Sequence, residues 1–338
     1  MIKLHQLLTT QSANLFDEQG FAVHCPMVLS ALSSLGASDE QLQNYFEIWQ
    51  KENPALANSV GPTNQSNLIT ATTWRQSLKN VQDFSALQQF FQNWIEESAP
   101  EIVMQQVLSQ IPPAPASVAF HGLIRTAHGL EVNHAGEIAA GLAALVVRNF
   151  WFDLPQPARP VQVQSVAQAL AHFSERMSAF DTPKVNITAR MQAVVDDPRF
   201  AHSLPAVPAN AFAEMQQNAI KLYVQHQNFT TLHMVTALHA AHKIFTRLPD
   251  ALFERYLPAV WSAYCAAYVS TGAPRIVDAP VASDTLLPWK TLFAAACESN
   301  RDHMIKMIYT CHQQYQRATS SDLKLLYLAG ANSIFTSC

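Results

Sequence analysis

The sequence predicts an all-α protein: a single irregular multi-helix domain over residues 1–338, with a buried site lined by histidines. Three observations lead there. Apolar residues recur at three- and four-residue spacing along nearly the whole chain, and strict alternation never lasts more than a few residues. Histidine is abundant, 13 in 338 residues, and several interrupt the most apolar helical stretches. No fixed-period self-similarity marks a helical repeat array.

Taken in order, Lys3 to Leu15 reads as a short amphipathic helix, followed by a turn at Asp17 to Gly20. Pro26 suits the first turn of the next helix, where its missing N–H is not needed, and Gly36 suits its end. Ser38 with Gln41 is a capping-box pattern opening a helix to about Lys51, whose Leu42, Tyr45, Phe46 and Trp49 repeat at core spacing. Pro54 to Ser66 is polar and reads as a loop, and Ser77 to Gln110 is helical with a break at Pro100. The prolines at 112, 113 and 115 form a rigid connector into Phe120 to Phe150, a helix pair running on to Trp151. A second proline-rich connector spans Leu154 to Val161. Helices are then expected at about 163–180, 187–196, 209–227, 230–246 and 250–270, a loop or lid at Gly272 to Pro288, and helices at about 288–299, 302–317 and 320–330.

Composition excludes several function classes. Apolar residues make up 49%, enough for a sizeable core, while charged residues are only 14% and the net charge is −4, with no basic stripe for nucleic acid. Neither GxGxxG nor GxxxxGK[ST] occurs, nor HExxH, nor GxSxG. The five cysteines are far apart and without CxxC spacing, so they read as reduced thiols. The N-terminus lacks a secretory h-region and the longest aliphatic run, Ile138 to Val147, is too short to span a bilayer, so no membrane partner and a cytoplasmic location are expected.

The segment Phe120 to Phe150 carries the chemistry-bearing residues. At about 100° per residue, Arg125 and His128 lie within about 40° of His121 on one helical face. Burying such groups requires partners, and a metal, an anion or a substrate would serve. His24, His121, His233 and His303 sit on separate helices, which is how helix bundles assemble metal sites. Glu131 with His134 has the Glu-x-x-His spacing of di-iron bundles, but a second copy is missing. Lys306, nearly one turn after His303, is placed to steer an anionic substrate, and Tyr223, Tyr264 and Tyr268 lie on apolar helix faces. For each of these the plainer alternative is a hydrogen-bonded core or surface residue.

The segments HCPMVLSALSSLGASDEQLQNYF, AFHGLIRTAHGLE, LHMVTALHAAH and CESNRDHMIKMIYTCHQQY, in that order, resemble those of the questin oxidase-like family. The resemblance implies a non-haem iron oxidoreductase of monooxygenase type, which inserts oxygen beside a carbonyl in a Baeyer–Villiger-like reaction, historically with NADPH as electron donor. It implies O2 and a small aromatic or quinone-like molecule as substrates, with a reductase as a further partner. Carried over, the metal ligands are His24, His121, His233 and His303, with His239 the alternative in its segment. A carboxylated lysine is implied as a further ligand in some members, Lys290 being the first candidate and Lys243 the second. His128 and His242 depart from the family's pattern and imply a modified pocket. Within this reading His128 or Tyr223 moves protons, and Arg125 holds an anionic oxygen. The competing readings are a helical small-molecule binding protein without turnover and a metal-dependent hydrolase.

Overall fold

The computed structural model describes residues 2–11, 14–16, 22–57, 69–154, 161–177, 180–277 and 285–336. Among them the chain is all-helical, with only two isolated bridges, Phe16 to Ala22 and Val161 to Pro205. The helices are α1 (Ile2–Thr9), α2 (Cys25–Ser34), α3 (Asp39–Glu52), α4 (Pro54–Ala57), α5 (Phe84–Glu97), α6 (Pro100–Gln110), α7 (His121–Glu131), α8 (Ala135–Val147), α9 (Val166–Arg176), α10 (Ile187–Asp196), α11 (Pro198–Ser203), α12 (Ala211–His226), α13 (Phe229–Phe245), α14 (Asp250–Val269), α15 (Trp289–Cys297), α16 (Asp302–Arg317) and α17 (Ser321–Thr336).

Local sequence explains most of the boundaries. Ser38 and Gln41 form the reciprocal capping box at the start of α3, with bonds of 3.2 and 2.9 Å. Gly36 has φ +93°, the left-handed conformation that ends α2 at little steric cost. The first helix stops at Thr9 rather than Leu15, because Gln11 N–H turns back to the Leu8 carbonyl at 2.9 Å. Likewise α8 ends at Val147 rather than Trp151, where the Asn149 side chain bonds the Leu145 and Pro112 carbonyls. A short helix not expected from the pattern, α11, is opened by Asp197 capping Arg199 N–H at 2.9 Å. The last helix continues past 330 to Thr336. Pro54 to Ala57, expected as loop, form α4, while the rest of that loop, the turn at Asp17 to Gly20, residues 155–160 of the second proline-rich connector, residues 278–284 of the Gly272 to Pro288 loop and Cys338 lie outside the described residues. Among the described cysteines, Cys25, Cys265, Cys297 and Cys311 are free.

At the centre α2, α7, α13 and α16 form a ring in which each helix packs on the next. Around it α8 covers α7, α5 covers α8, and α17 with α12 covers α16 and α13. The pair α7 and α8 approach closely because glycines face across it: a Cβ on Gly129 would stand 2.6 Å from the Ile138 nitrogen, and one on Gly141 would collide with Thr126. The buried apolar side chains form one continuous core. No described helix is long and apolar enough to cross a membrane.

A four-histidine cluster at the helix starts

Each helix of the central ring delivers one histidine, and all four come from a first or second turn. His24 is the residue that opens α2, His121 the first of α7, His233 the fifth of α13 and His303 the second of α16. Their rings lie against one another: His24 and His121 stack with centroids 4.9 Å apart, His24 meets His303 at 4.7 Å, His121 meets His233 at 5.1 Å, and His233 meets His303 at 5.3 Å.

Outer partners fix how these rings present themselves. His24 donates Nδ1–H to Asp302 Oδ2 at 3.2 Å, and the other Asp302 oxygen accepts from Tyr45 Oη at 2.7 Å. His121 donates Nδ1–H to the Val118 carbonyl and His233 to the Phe229 carbonyl, each at 2.8 Å. A carboxylate and two carbonyls can only accept, so in all three rings Nε2 is left for the cluster. His24 Nε2 and His121 Nε2 are 3.0 Å apart. His303 Nε2 is buried and has no hydrogen-bond partner.

His121 is held by an unusual backbone. Val118, Ala119 and Phe120 have φ of 53°, 52° and 71°, three successive non-glycine residues in the left-handed region. That conformation costs roughly 1–2 kcal/mol per residue. Ser117 helps to brace it, donating to the Ala114 carbonyl at 2.8 Å and accepting from Phe150 N–H at 3.0 Å.

Burial favours the neutral form of three of the four imidazoles. Burial holds His121 and His303 well below the usual histidine range and lowers His233 to about 3, and the nearby Lys306 charge adds to each shift. Lys306 is itself buried, 3% exposed, and burial lowers it to about 8 against the opposing pull of Asp302. Burial raises the Asp302 carboxyl, but the His24 hydrogen bond and charge, Lys306 and Tyr45 more than offset this and hold it below its usual value.

Of the lysines expected near the cluster, neither lies in it. Lys290 is exposed on α15, and Lys243 forms an ion pair with Glu131. Lys306 is the lysine whose charge reaches the cluster, and its i+3 spacing from His303 was the available signal. His239, six residues and about 9 Å of helix beyond His233, faces His128 and Tyr309 instead. Tyr223 is buried on α12, where the other charges acting on it are those of Cys311 and Arg301. Glu131 ends α7 while His134 caps α8, its Nδ1 accepting Glu137 N–H at 3.1 Å, so the two do not act as a paired ligand motif.

Arg125 departs furthest from expectation. Its Nε and Nη2 grip Glu137 at 2.7 and 3.1 Å, Nη1 donates to the Asn14 carbonyl at 2.5 Å, and Nη2 also donates to the Gln11 carbonyl at 3.1 Å. The guanidinium ties α7 to α8 and to the segment after α1, so its grip is on the protein's own Glu137 carboxylate and two carbonyls, where a substrate's anionic oxygen was expected.

The cluster lies near the surface. Phe229, the first residue of α13, is 52% exposed, yet its ring lies 4.6 Å from both His233 and His303. Among the described residues no three His, Cys, Asp or Glu side chains are drawn together as a closed metal-ligand set. The four rings are adjacent, but they are not gathered about one point.

The family model described as questin oxidase-like matches residues 21–311. That range contains all four cluster histidines and Lys306. No curated protein matches the chain.

Proposed function

The chain belongs to the questin oxidase-like family, and we propose that it is a non-haem metal oxidoreductase that oxidises a small aromatic or quinone-like molecule with O2 at the four-histidine cluster. The observation that carries this reading is the adjacency of the His24, His121, His233 and His303 rings, with Nδ1 of three of them already committed to oxygen acceptors. Metal-bound histidines are usually oriented in this way. The donor chemistry fits a first-row transition metal: neutral imidazoles, one of them with an orphaned buried nitrogen, beside a carboxylate that balances charge. The 3.0 Å between His24 and His121 Nε2 is also about the distance between two nitrogens bound at right angles to one ion at about 2.1 Å.

Iron held there would supply the binding and activation of O2. The remaining roles belong to the chain. Asp302 fixes the His24 tautomer and Tyr45 fixes Asp302, so an outer pair sets the direction of one ligand. A cationic Lys306 would repel a metal, whereas its neutral amine can add CO2: the nitrogen forms a bond to carbon, a proton leaves, and the product is an anionic carbamate. Lys306, rather than Lys290, is therefore the lysine we propose as the carboxylated ligand. The half-exposed Phe229 ring provides a face on which a flat aromatic substrate can stack beside His233 and His303. For a monooxygenase outcome, one oxygen atom enters the substrate and the other leaves as water, which consumes two electrons and two protons per turnover.

The test is oxygen consumption by iron-reconstituted protein with a panel of quinols, phenols and anthraquinones and with NADPH or ascorbate as reductant. Uptake that depends on the aromatic and is lost in His303→Ala supports the reading. Stoichiometric binding of an aromatic with no uptake under any reductant would favour a carrier.

A further inference from the structure

Two apolar stretches of the chain contribute no side chain to the histidine cluster: the proline-rich connector that leads into α7, and Phe150 to Phe152 after α8. The structure sets them side by side against α14. Pro113, Pro115 and Pro258, with the rings of Phe150, Trp151 and Phe152, line an open groove of about 160 Å³. A closed apolar cavity of about 150 Å³ holds one benzene molecule, so the groove has room for a single aromatic ring. Its two loop walls are fixed to each other: Phe150 N–H donates to Ser117 Oγ at 3.0 Å, and Phe152 packs edge-on against Phe150 with centroids 4.9 Å apart. The Trp151 indole is 45% exposed, so a ring laid over it removes a large apolar surface from water.

Two polar side chains of α14, Arg255 and Ser262, complete the lining. Arg255 Nη1 donates to the Leu108 carbonyl at 2.6 Å and Nη2 to the Ile111 carbonyl at 2.8 Å. Those carbonyls end α6, where the helix dipole favours a cation. They hold the guanidinium in place, so a ligand that grips it costs little further side-chain freedom. No carboxylate among the described residues pairs with Arg255, and only two of its five N–H groups are spent on the carbonyls. Ser262 donates to the Pro258 carbonyl at 2.9 Å, which leaves its oxygen as an acceptor. The two side chains are two helical turns, about 10 Å, apart along α14, one towards each end of a ring lying in the groove.

We propose that this groove binds a small hydroxylated aromatic acid, its ring among Phe150, Trp151 and Phe152, its carboxylate on Arg255 and its hydroxyl donating to Ser262. A carboxylate matches the planar guanidinium fork, and charge-assisted bonds of that kind are about twice as strong as neutral ones. A cationic ligand would be repelled by Arg255, and a fused polycyclic one exceeds the volume. The groove shares no lining residue with the four-histidine cluster. The site therefore goes beyond the oxidation proposed above and does not depend on a metal.

The test is calorimetric titration of the full-length chain, before and after iron reconstitution, with para-hydroxybenzoate and with its uncharged counterpart para-hydroxybenzamide. The acid should bind once per chain, roughly tenfold or more tightly than the amide, the effect of one charge-assisted contact. Iron should leave its affinity unchanged. Arg255→Gln should remove the preference for the acid. Because that change also loosens the end of α6, Ala259→Phe serves as a second variant: it fills the groove from α14 while leaving Arg255 and its carbonyls alone. It should abolish binding in a protein that melts as wild type does. No saturable binding of the acid, equal affinity for acid and amide, an acid preference kept by Arg255→Gln, or full affinity in Ala259→Phe would overturn the site. Should the protein prove to hold no iron, these results would still stand, so the two readings fail separately.

Discussion

His24 Nε2 faces His121 Nε2 at 3.0 Å, while Asp302 and the Val118 carbonyl occupy the opposite nitrogens of the two rings. Two neutral rings so held would present lone pair to lone pair, which is repulsive. A shared proton or a metal cation between them removes the conflict. The geometry therefore makes Asp302 a positioning residue for His24. Asp302→Asn should leave the protein folded and reduce metal affinity about 10–100-fold, the usual effect of losing an outer carboxylate. Competition titration with a chromophoric chelator measures it, and an unchanged affinity would remove Asp302 from the site.

Phe229 covers His233 and His303 while half its surface meets solvent. Phe229→Ala should preserve metal content but weaken binding of aromatic ligands by about 0.5–1.5 kcal/mol, the size of one aromatic pair. Phe229→Tyr should retain most of the affinity. Calorimetric titration with a ligand found in the oxygen-uptake panel distinguishes these outcomes.

The Arg125–Glu137 pair is almost completely buried, with side chains 4% and 3% exposed. Arg125→Ala leaves a buried carboxylate without its partner and should destabilise the fold by about 3–5 kcal/mol. Arg125→Lys should recover only part of that, because an ammonium cannot reproduce the planar two-pronged contact. Urea denaturation checks both, and a loss of oxygen uptake at unchanged stability would return Arg125 to a direct role.

In the metal-free protein, stability should fall as pH falls below neutrality. His233 and His239 have folded values lowered to about 3 by burial, and burial also holds His121 and His303 low. Their unfolded values lie near 6.5. Between about pH 6.5 and 3 the unfolded chain binds more protons than the folded one, so each such histidine removes about 1.4 kcal/mol of stability per pH unit. Their contribution is fully present above about 6.5. Denaturation midpoints at pH 7 and pH 5 should differ accordingly, and equal midpoints would show that these imidazoles are not buried as described.

The helices were legible because burial follows their spacing, and caps such as Ser38 with Gln41 are local in sequence. The four histidines were legible through ordered segments, since each lies near the start of its own helix. What was not legible depends on contacts across the chain. Arg125 meets Glu137 across the α7–α8 turn and also meets carbonyls more than 100 residues away, so a helical wheel showed its face but not its partner. Lys306 was read only as a residue that could steer an anionic substrate, and its burial beside the cluster shows only once α16 is packed into the ring. The left-handed turn at Val118 to Phe120 had no sequence signal, because none of its residues is glycine.

The central claim is that four histidines from four helices hold one metal ion. Elemental analysis of anaerobically iron-reconstituted, desalted protein tests it most directly. Wild type and His202→Ala, a change at an exposed residue, should each retain about one iron per folded chain. His121→Ala and His303→Ala should retain almost none while still melting cooperatively. No iron retained by wild type, or equal retention in all four proteins, would contradict the claim.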